Sequence, residues 1–362
     1  MNAIENKMNL NIDEVISIVE RDGNKKRNYL IMNKLQAKYL PVKASQAFDM
    51  FDLLAEEVKQ YTGNIVVIGF AETATAIGAR IAQKLAENPE NKVTFLPTTR
   101  EVFKQTPIVE FKEEHSHAVE QTIYGNEETF ENADYIMFAE DELTTGNTIL
   151  NCVKNLNFKC KYVAASLANC MSDEQIKTFK ENNIEPIWLM RLDKSNYTSI
   201  SGNDSINIEY ENSENTNIKV ENTIKLDNPR LGVDILKYFN DSIKLAENIM
   251  KNNEFTDKKV LILGTEECMY PGMIVADYLN KNGVDAYVQT TTRVPACVSQ
   301  KEDYPLKTRY QVKSLYGDRF TYIYNLEKYD IAIIISDGYN MEKSVANALK
   351  SVGTESILTY LI

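Results

Sequence analysis

The chain has 362 residues, 43% of them hydrophobic, enough to fill the cores of two domains. Acidic residues outnumber basic ones, 52 against 40, and the formal net charge of −12 argues against a general nucleic-acid binder. The five cysteines form no CxxC pair and show no metal-ligand spacing. With no apolar signal core and no apolar run of about 18 residues, neither export nor membrane insertion is expected, and the chain reads as cytoplasmic with reduced thiols.

Residues 1–25 are polar, with a weak apolar period at Val15, Ile16 and Val19, and read as a short helix or an extended arm. A strand is predicted over 26–32. A helix is predicted over about 45–61, where Ala47, Phe48, Phe51, Leu54, Ala55 and Val58 recur at helical spacing. Residues 64–69 form an apolar strand ending at Gly69, and a helix follows over about 74–86. Gly69 permits a tight turn with close backbone approach to a ligand, and Thr73 or Thr75 is positioned to cap the helix; an ordinary strand–helix turn is the alternative. A strand over 92–96 leads into Thr98-Thr99-Arg100, where Arg100 suits bidentate contact with phosphate-type oxygens. Residues 101–125 show no clear apolar period and carry both histidines of the chain, His115 and His117. A catalytic lid, a metal site and a solvated loop compete for this segment.

The apolar run Ile136–Ala139 reads as a buried parallel strand, with Glu140, Asp141 and Glu142 at its carboxyl end. Leu143-Thr144-Thr145-Gly146 then turns the chain into a helix beginning near Asn147 and Thr148. Carboxylates accept hydrogen bonds from sugar hydroxyls, whereas backbone N–H groups, threonine hydroxyls and a helix N-terminus favour a phosphate. A sugar phosphate calls for both together; a well-capped strand–helix turn is the alternative. The stretch resembles the phosphoribosyl pyrophosphate (PRPP) motif of type I phosphoribosyltransferases: a hydrophobic strand, two acids and a Thr-Thr-Gly-x-Thr loop. It departs at Ala139, usually a larger apolar residue, at Glu142, usually apolar, and at Glu140, more commonly Asp. By that resemblance Gly69, Phe70, Ala71, Glu72 and Thr73 occupy the place of the pyrophosphate loop, and 101–125 that of a mobile lid.

A helix (149–157), a strand (162–168), a helix (173–182) and a strand (186–192) continue an alternation that implies a parallel sheet. Residues 194–228, rich in Asn, Ser, Glu and Thr, read as a linker with one hairpin. Beyond them come a helix to about 250, a strand ending at Gly264, a helix over 271–280, a strand ending at Thr291-Thr292-Arg293, and a strand over 329–335 ending at Ser336-Asp337-Gly338. Gly69 and Gly264 lie 195 residues apart, as do Glu72 and Glu267; Thr98 and Thr291 lie 193 apart, and Asp141 and Asp337 lie 196 apart. A near-constant offset suggests duplication; two α/β units converging on strand-end glycines is the alternative. Tyr339-Asn340-Met341 stands where the first copy has Leu143 to Gly146, so the second phosphate loop is degenerate. The expected architecture is two doubly wound α/β domains with mainly parallel sheets, at 1–193 and 230–362, joined by a polar segment at 194–229.

Taken together these motifs are similar to a bacterial family in which a phosphoribosyltransferase-like domain precedes a domain named for a Thr-Arg-Ser-Pro (TRSP) motif, met in tellurium-resistance and stress-response gene clusters. Val294 stands in place of the serine of that motif. The resemblance implies transfer of ribose 5-phosphate from PRPP to an unidentified base or amine with release of pyrophosphate, Mg²⁺ being held through the ligand. It implies Glu140 and Asp141 on the ribose, Thr144 to Thr148 around the 5′-phosphate, Gly69 to Thr73 with Arg100 on the pyrophosphate, and Glu142 and Leu143 within the same PRPP-binding stretch. His115 or His117 would protonate a leaving group or contact the base. Two rival readings stand beside it: a PRPP- or nucleotide-sensing protein without turnover, and a second domain acting separately as a hydrolase or phosphatase through Glu267, Arg293 and Asp337. PRPP and a small-molecule acceptor are the expected partners, with neither nucleic acid nor membrane; a homodimer is a candidate assembly.

Overall fold

The structure, a computed structural model, describes residues 3–22, 28–72, 74–112, 120–194, 207–209, 219–222, 224–338 and 343–362. It opens with β1 (Ala3–Asn6), α1 (Ile12–Val15), β2 (Ile16–Glu20), β3 (Tyr29–Asn33) and α2 (Ala44–Glu56). An alternating run follows: β4 (Asn64–Gly69), α3 (Thr75–Ala86), β5 (Lys92–Pro97), β6 (Val109–Lys112), β7 (Glu120–Ile123), α4 (Glu127–Glu131), β8 (Tyr135–Leu143), α5 (Asn147–Leu156), β9 (Lys161–Asn169), α6 (Asp173–Glu181) and β10 (Ile184–Leu192). Next come β11 (Asn207–Glu209), β12 (Lys219–Asn222), β13 (Val233–Asp234) and α7 (Ile235–Asn252). The chain ends with β14 (Lys259–Gly264), α8 (Tyr270–Lys281), β15 (Asp285–Thr290), β16 (Arg309–Lys313), β17 (Phe320–Tyr324), β18 (Ile331–Ser336), α9 (Ser344–Ser351) and β19 (Ser356–Leu361).

Two compact units form. The first comprises Met1–Asn9, Phe48–Lys194 and Asp227–Asn240, the second Leu10–Ala47, Ser195–Leu226 and Asp241–Ile362. Compactness thus groups residues 10–47 with the later segment of the chain.

The first unit is built on a seven-stranded sheet of order β1-β10-β9-β8-β4-β5-β13. The five middle strands are parallel, and short antiparallel strands, β1 on β10 and β13 on β5, cover the two edges. Parallel strands have helices on both faces, so their side chains are buried whichever way they point. The run Ile65-Val66-Val67-Ile68 of β4 follows that rule, each residue at most 1% exposed. The helix α5 shows the complementary pattern: Ile149, Leu150, Cys152, Val153 and Leu156 are buried, while Asn151, Lys154 and Asn155 face water.

In the second unit the parallel sheet has the order β12-β19-β18-β14-β15. Its run β19-β18-β14-β15 repeats the order β9-β8-β4-β5 of the first unit. The registers correspond as well: Asn64 pairs with Lys92 as Lys259 does with Asp285, and Ile65 pairs with Tyr135 as Val260 does with Ile331. Even the strand entry recurs, with Asn64 N donating to Asp134 Oδ2 at 2.8 Å and Lys259 N to Asp330 Oδ2 at 2.7 Å. The second unit also carries a three-stranded sheet, β11-β16-β17, and the β2–β3 ladder.

Several expectations are corrected. Residues 101–125 contain an antiparallel ladder, Val109 to Lys112 against Glu120 to Ile123, where no periodicity was legible. Among the described residues between 194 and 228, where a hairpin is expected, two short strands pair elsewhere and in parallel, β11 with β16 and β12 with β19. The N-terminal arm supplies a sheet-edge strand and one strand of a ladder besides its four-residue helix. The strand expected to stop at Ala139 runs on to Leu143, because β9 is equally long and continues to pair with it, Glu140 opposite Ser166 and Leu143 opposite Asn169.

Candidate functional site

Along the first unit's sheet, β4 is followed in sequence by β5 on one side, while β8, β9 and β10 extend from its other side. The strand order reverses at β4, and open α/β sheets take ligands beyond the carboxyl ends of the strands at such a reversal. Three segments that the sequence singles out meet at this edge: 70–74 after β4, 98–101 after β5 and 140–148 at the end of β8.

The first segment is held by close packing of backbone. A Cβ on Gly69 would lie 2.7 Å from Ala74 O and 3.0 Å from Thr75 Cα, and one on Gly78 would lie 2.9 Å from Gly69 Cα. Glycine at both positions lets α3 sit directly on the end of β4 and fold the loop tightly back. The loop amides are largely engaged within the protein. Phe70 N donates to Ala139 O at 3.1 Å, Ala71 N to Thr98 Oγ1 at 2.8 Å and Ala74 N to Phe70 O at 3.0 Å. Phe70 turns its ring into the core against Phe111 and Phe138, and Glu72 is buried. The Ala71–Glu72 peptide is cis. At Thr75 the predicted cap is not made: the N-cap is Ala74, and the Thr75 hydroxyl donates to Glu72 O at 2.9 Å instead of accepting from an amide. Thr73 lies outside the described residues.

Thr98 is buried, accepts from Ala71 N and contacts Gln121 Oε1, while Thr99 exchanges two 2.9 Å backbone hydrogen bonds with Thr122. The ladder β6–β7 is thereby fastened to the end of β5. Arg100 follows, half-buried, and Glu101 N donates to Thr99 Oγ1 at 3.1 Å. His115 and His117 lie outside the described residues.

The third segment carries the carboxylates. The ladder of β8 with β4 stops at Ala139, but that with β9 continues to Leu143, so Glu140, Asp141 and Glu142 line the flank of β8 past the end of β4. All three are half-buried. Ser166, opposite Glu140, is fully buried, and its hydroxyl has no hydrogen-bond partner among the described residues. Leu143 is core, whereas Thr144 Oγ1 donates to Glu142 Oε1 at 2.7 Å and Asn147 N to Thr145 Oγ1 at 3.3 Å. Gly146 is the N-cap of α5 with φ +78° and no side-chain cap, and a Cβ there would lie 2.3 Å from the Phe179 ring. Thr148 lies in the first turn of α5, half-buried.

Sequence reasoning missed two polar side chains here. Lys194 donates to Thr144 O at 3.0 Å, putting an ammonium beside the phosphate-type loop, and Gln121 reaches Ala71 O at 3.4 Å. Lys194 lies two residues beyond the end of β10 and carries no motif; only tertiary contact reveals it. No group of three His, Cys, Asp or Glu side chains suited to a metal ion occurs among the described residues. A cavity of about 210 Å³ lined by Asn64, Lys92, Thr94, Asn126 and Glu128 lies at the opposite, amino-terminal ends of β4 and β5.

A family model described as "Phosphoribosyl transferase" matches residues 15–192, and one described as "TRSP domain C terminus to PRTase_2" matches residues 228–352. The chain belongs to this phosphoribosyltransferase family. Similar solved structures include the adenine phosphoribosyltransferases of Rhodothermus marinus (11% identity, TM-score 0.35, covering 50% of this chain and 96% of that one) and Thermoanaerobacter pseudethanolicus (14%, 0.35, 50% and 98%). The orotate phosphoribosyltransferase of Aeropyrum pernix is another (14%, 0.31, 50% and 89%). No curated protein matches the chain.

In this chain the second unit repeats the framework of that sheet edge with different side chains. Thr291 N donates to Gly264 O at 3.0 Å as Thr98 N does to Gly69 O at 2.9 Å, and Glu266 N donates to Thr291 Oγ1 as Ala71 N does to Thr98 Oγ1. Of the second-domain residues singled out by sequence, Glu267 is buried, Arg293 is ion-paired and Asp337 accepts from Tyr316 OH at 2.5 Å. The partner of Arg293 is Glu266, which was not singled out. Glu266 is 2% exposed, with Oε2 at 2.5 Å from Arg293 Nε and 3.1 Å from Arg319, and Oε1 accepting from Ser314 Oγ. Burial pushes its carboxyl up, but the two guanidiniums and the Ser314 hydroxyl outweigh that and hold it below the usual glutamate range.

Proposed function

We propose that the chain is a PRPP-dependent phosphoribosyltransferase that joins ribose 5-phosphate to a small base or amine and releases pyrophosphate. The observation that supports this reading most directly is the meeting of three unlike segments at one strand-order reversal: a glycine-turned loop, an arginine-bearing loop and a carboxylate strand running into a threonine–glycine helix start. A ligand that is half sugar and half phosphate matches such a set.

In this reading Glu140 and Asp141 accept hydrogen bonds from the ribose 2′- and 3′-hydroxyls and fix C1 above the ends of β4 and β8. The Thr144–Thr148 loop, the α5 N-terminus and Lys194 hold the 5′-phosphate, and their N–H groups and ammonium are set in place before the ligand arrives. The loop at 69–73 and Arg100 hold the pyrophosphate. Because several amides of that loop are engaged within the protein, Arg100 carries much of its charge compensation. In this reading Mg²⁺ enters as the PRPP complex, and Glu140 and Asp141 stand near its ribose end. When bound, the ion would neutralise charge on the departing pyrophosphate. The chain's own task is alignment: carboxylates beside the ribose favour the positive charge that develops at C1 as its bond to pyrophosphate lengthens.

Titrating Mg²⁺–PRPP into the protein by calorimetry tests the reading. Wild type should bind, and Asp141→Ala should bind about 30-fold or more weakly, the worth of losing a charged acceptor. No binding by wild type, or equal binding by the variant, refutes it. Pyrophosphate release across a panel of bases and amines then identifies the acceptor.

A further inference from the structure

The second unit holds a buried charge cluster that the function proposed above does not use. It lies beyond the carboxyl ends of β14 and β15, on the framework that repeats the corresponding sheet edge of the first unit. Glu266 occupies the position of Ala71: both follow a strand-end glycine by two residues, and both donate their backbone N–H to the threonine that follows the neighbouring strand. Arg293 occupies the position of Arg100, each following a Thr-Thr pair. The second of those threonines bridges to the next ladder in each unit, Thr99 to Thr122 and Thr292 to Tyr322.

The difference lies in what the loop projects. Where the first unit has a methyl group, the second has a carboxylate, 2% exposed, gripped by two guanidiniums and a hydroxyl. The backbone of Glu266 lies in the left-handed region, at φ +47°, which a side-chain-bearing residue adopts only when its surroundings enforce it. A carboxylate between arginines presents the same two-oxygen edge as a phosphate group. On the other side, the second copy of the acid-and-phosphate segment closes on itself: Tyr316 OH donates to Thr265 O at 2.9 Å and to Asp337, while Ser336 Oγ accepts from Thr265 Oγ1 at 2.8 Å and from Gly338 N at 3.0 Å.

We propose that the second unit contains an anion subsite of the pyrophosphate class that is filled from within, Glu266 taking the place of the ligand between Arg293, Arg319 and Ser314. The wild-type second unit therefore does not take up pyrophosphate or the diphosphate end of PRPP, and Glu266 is what excludes them. The assignment of the ligand class draws on the first unit's proposed role, but the test separates the two. Calorimetry with sodium pyrophosphate on the full chain counts sites in wild type, Glu266→Ala and Glu266→Ala/Arg293→Ala. Removing the carboxylate should add one site per chain, whether wild type begins with one or with none, and the double variant should lose that added site. A wild-type count of zero bears on the first unit alone. If Glu266→Ala unfolds in plain buffer, pyrophosphate should restore its folded signal at concentrations that leave the wild-type melting midpoint unmoved. An unchanged site count in a folded variant, an added site that survives Arg293→Ala, or absence of such rescue overturns the proposal.

Discussion

Gly146→Ala separates two physical costs at the start of the threonine–glycine loop. The residue sits at φ +78°, where a side-chain-bearing residue costs about 1–2 kcal/mol. The added Cβ would lie 2.3 Å from the Phe179 ring and 2.8 Å from Met171 Sδ, side chains packed under α5, and such overpacking costs about 1–3 kcal/mol. Against this, alanine restricts the unfolded chain and returns about 0.4–1 kcal/mol. The net expectation is a loss of about 3 kcal/mol, and the loop should be displaced as Phe179 gives way. Gly283→Ala is the control: its φ is +85°, but nothing lies within 4 Å of an added Cβ, so only the conformational terms remain, about 1 kcal/mol or less. Urea unfolding of the two variants measures the difference, and PRPP calorimetry should show weakened binding for Gly146→Ala only. Equal shifts in the two unfolding midpoints would refute the packing argument, since the steric contact is what distinguishes the sites.

Thr98→Val removes the acceptor of Ala71 N inside a buried turn and should cost about 1–3 kcal/mol, with PRPP affinity falling alongside; a variant as stable as wild type would show that this amide finds another acceptor. Lys194→Ala should weaken PRPP binding about tenfold, the worth of one charge-assisted contact, without altering the unfolding midpoint by more than about 0.5 kcal/mol. Glu266 has a folded pKa below its ordinary value of 4.5, so the stability it contributes is complete above pH 4.5 and is lost as pH falls through the lower folded value. Glu266→Gln should accordingly lose about 3 kcal/mol at neutral pH, and its gap to wild type should narrow only below pH 4.5; a gap constant down to acid-induced unfolding would contradict the ion-pair account. Burial pushes the Cys297 thiol up to about 11, with Glu20 and Asp22 adding to the rise, and full burial pushes Cys152 up as well. Native protein treated with iodoacetamide at pH 8 should retain both thiols over a period in which the unfolded chain is fully alkylated, as mass spectrometry would show.

Much of the site could be read from local sequence because its constraints are local. A strand buried on both faces must be a short continuous apolar run, as at Ile65 to Ile68 and Ile136 to Ala139. A chain that doubles back onto its own helix needs glycine, as at Gly69 and Gly146. The near-constant offset between the two halves was legible for the same reason, since each copy keeps the residues its turns demand. What escaped notice has weak local signals. The ladder β6–β7 shows no apolar period, and the partners of β11 and β12 are set by backbone hydrogen bonds to distant strands, which no side-chain pattern records. The capping role given to Thr73 or Thr75 failed at Thr75 because a hydroxyl can donate to a carbonyl as readily as accept from an amide.

From the sequence alone, then, come the strands and helices of the repeated core, the tight turns and the acid–threonine–glycine segment, all set by sterics and solvation over a few neighbouring residues. The tertiary structure decided the rest: the strand-order reversal beside β4, the reach of β8 past Ala139, Lys194 against Thr144 fifty residues away, and Glu266 between Arg293 and Arg319. Each of these depends on which distant segments become neighbours. That choice is made by burial and hydrogen bonding summed over a whole unit, so no short stretch of sequence encodes it.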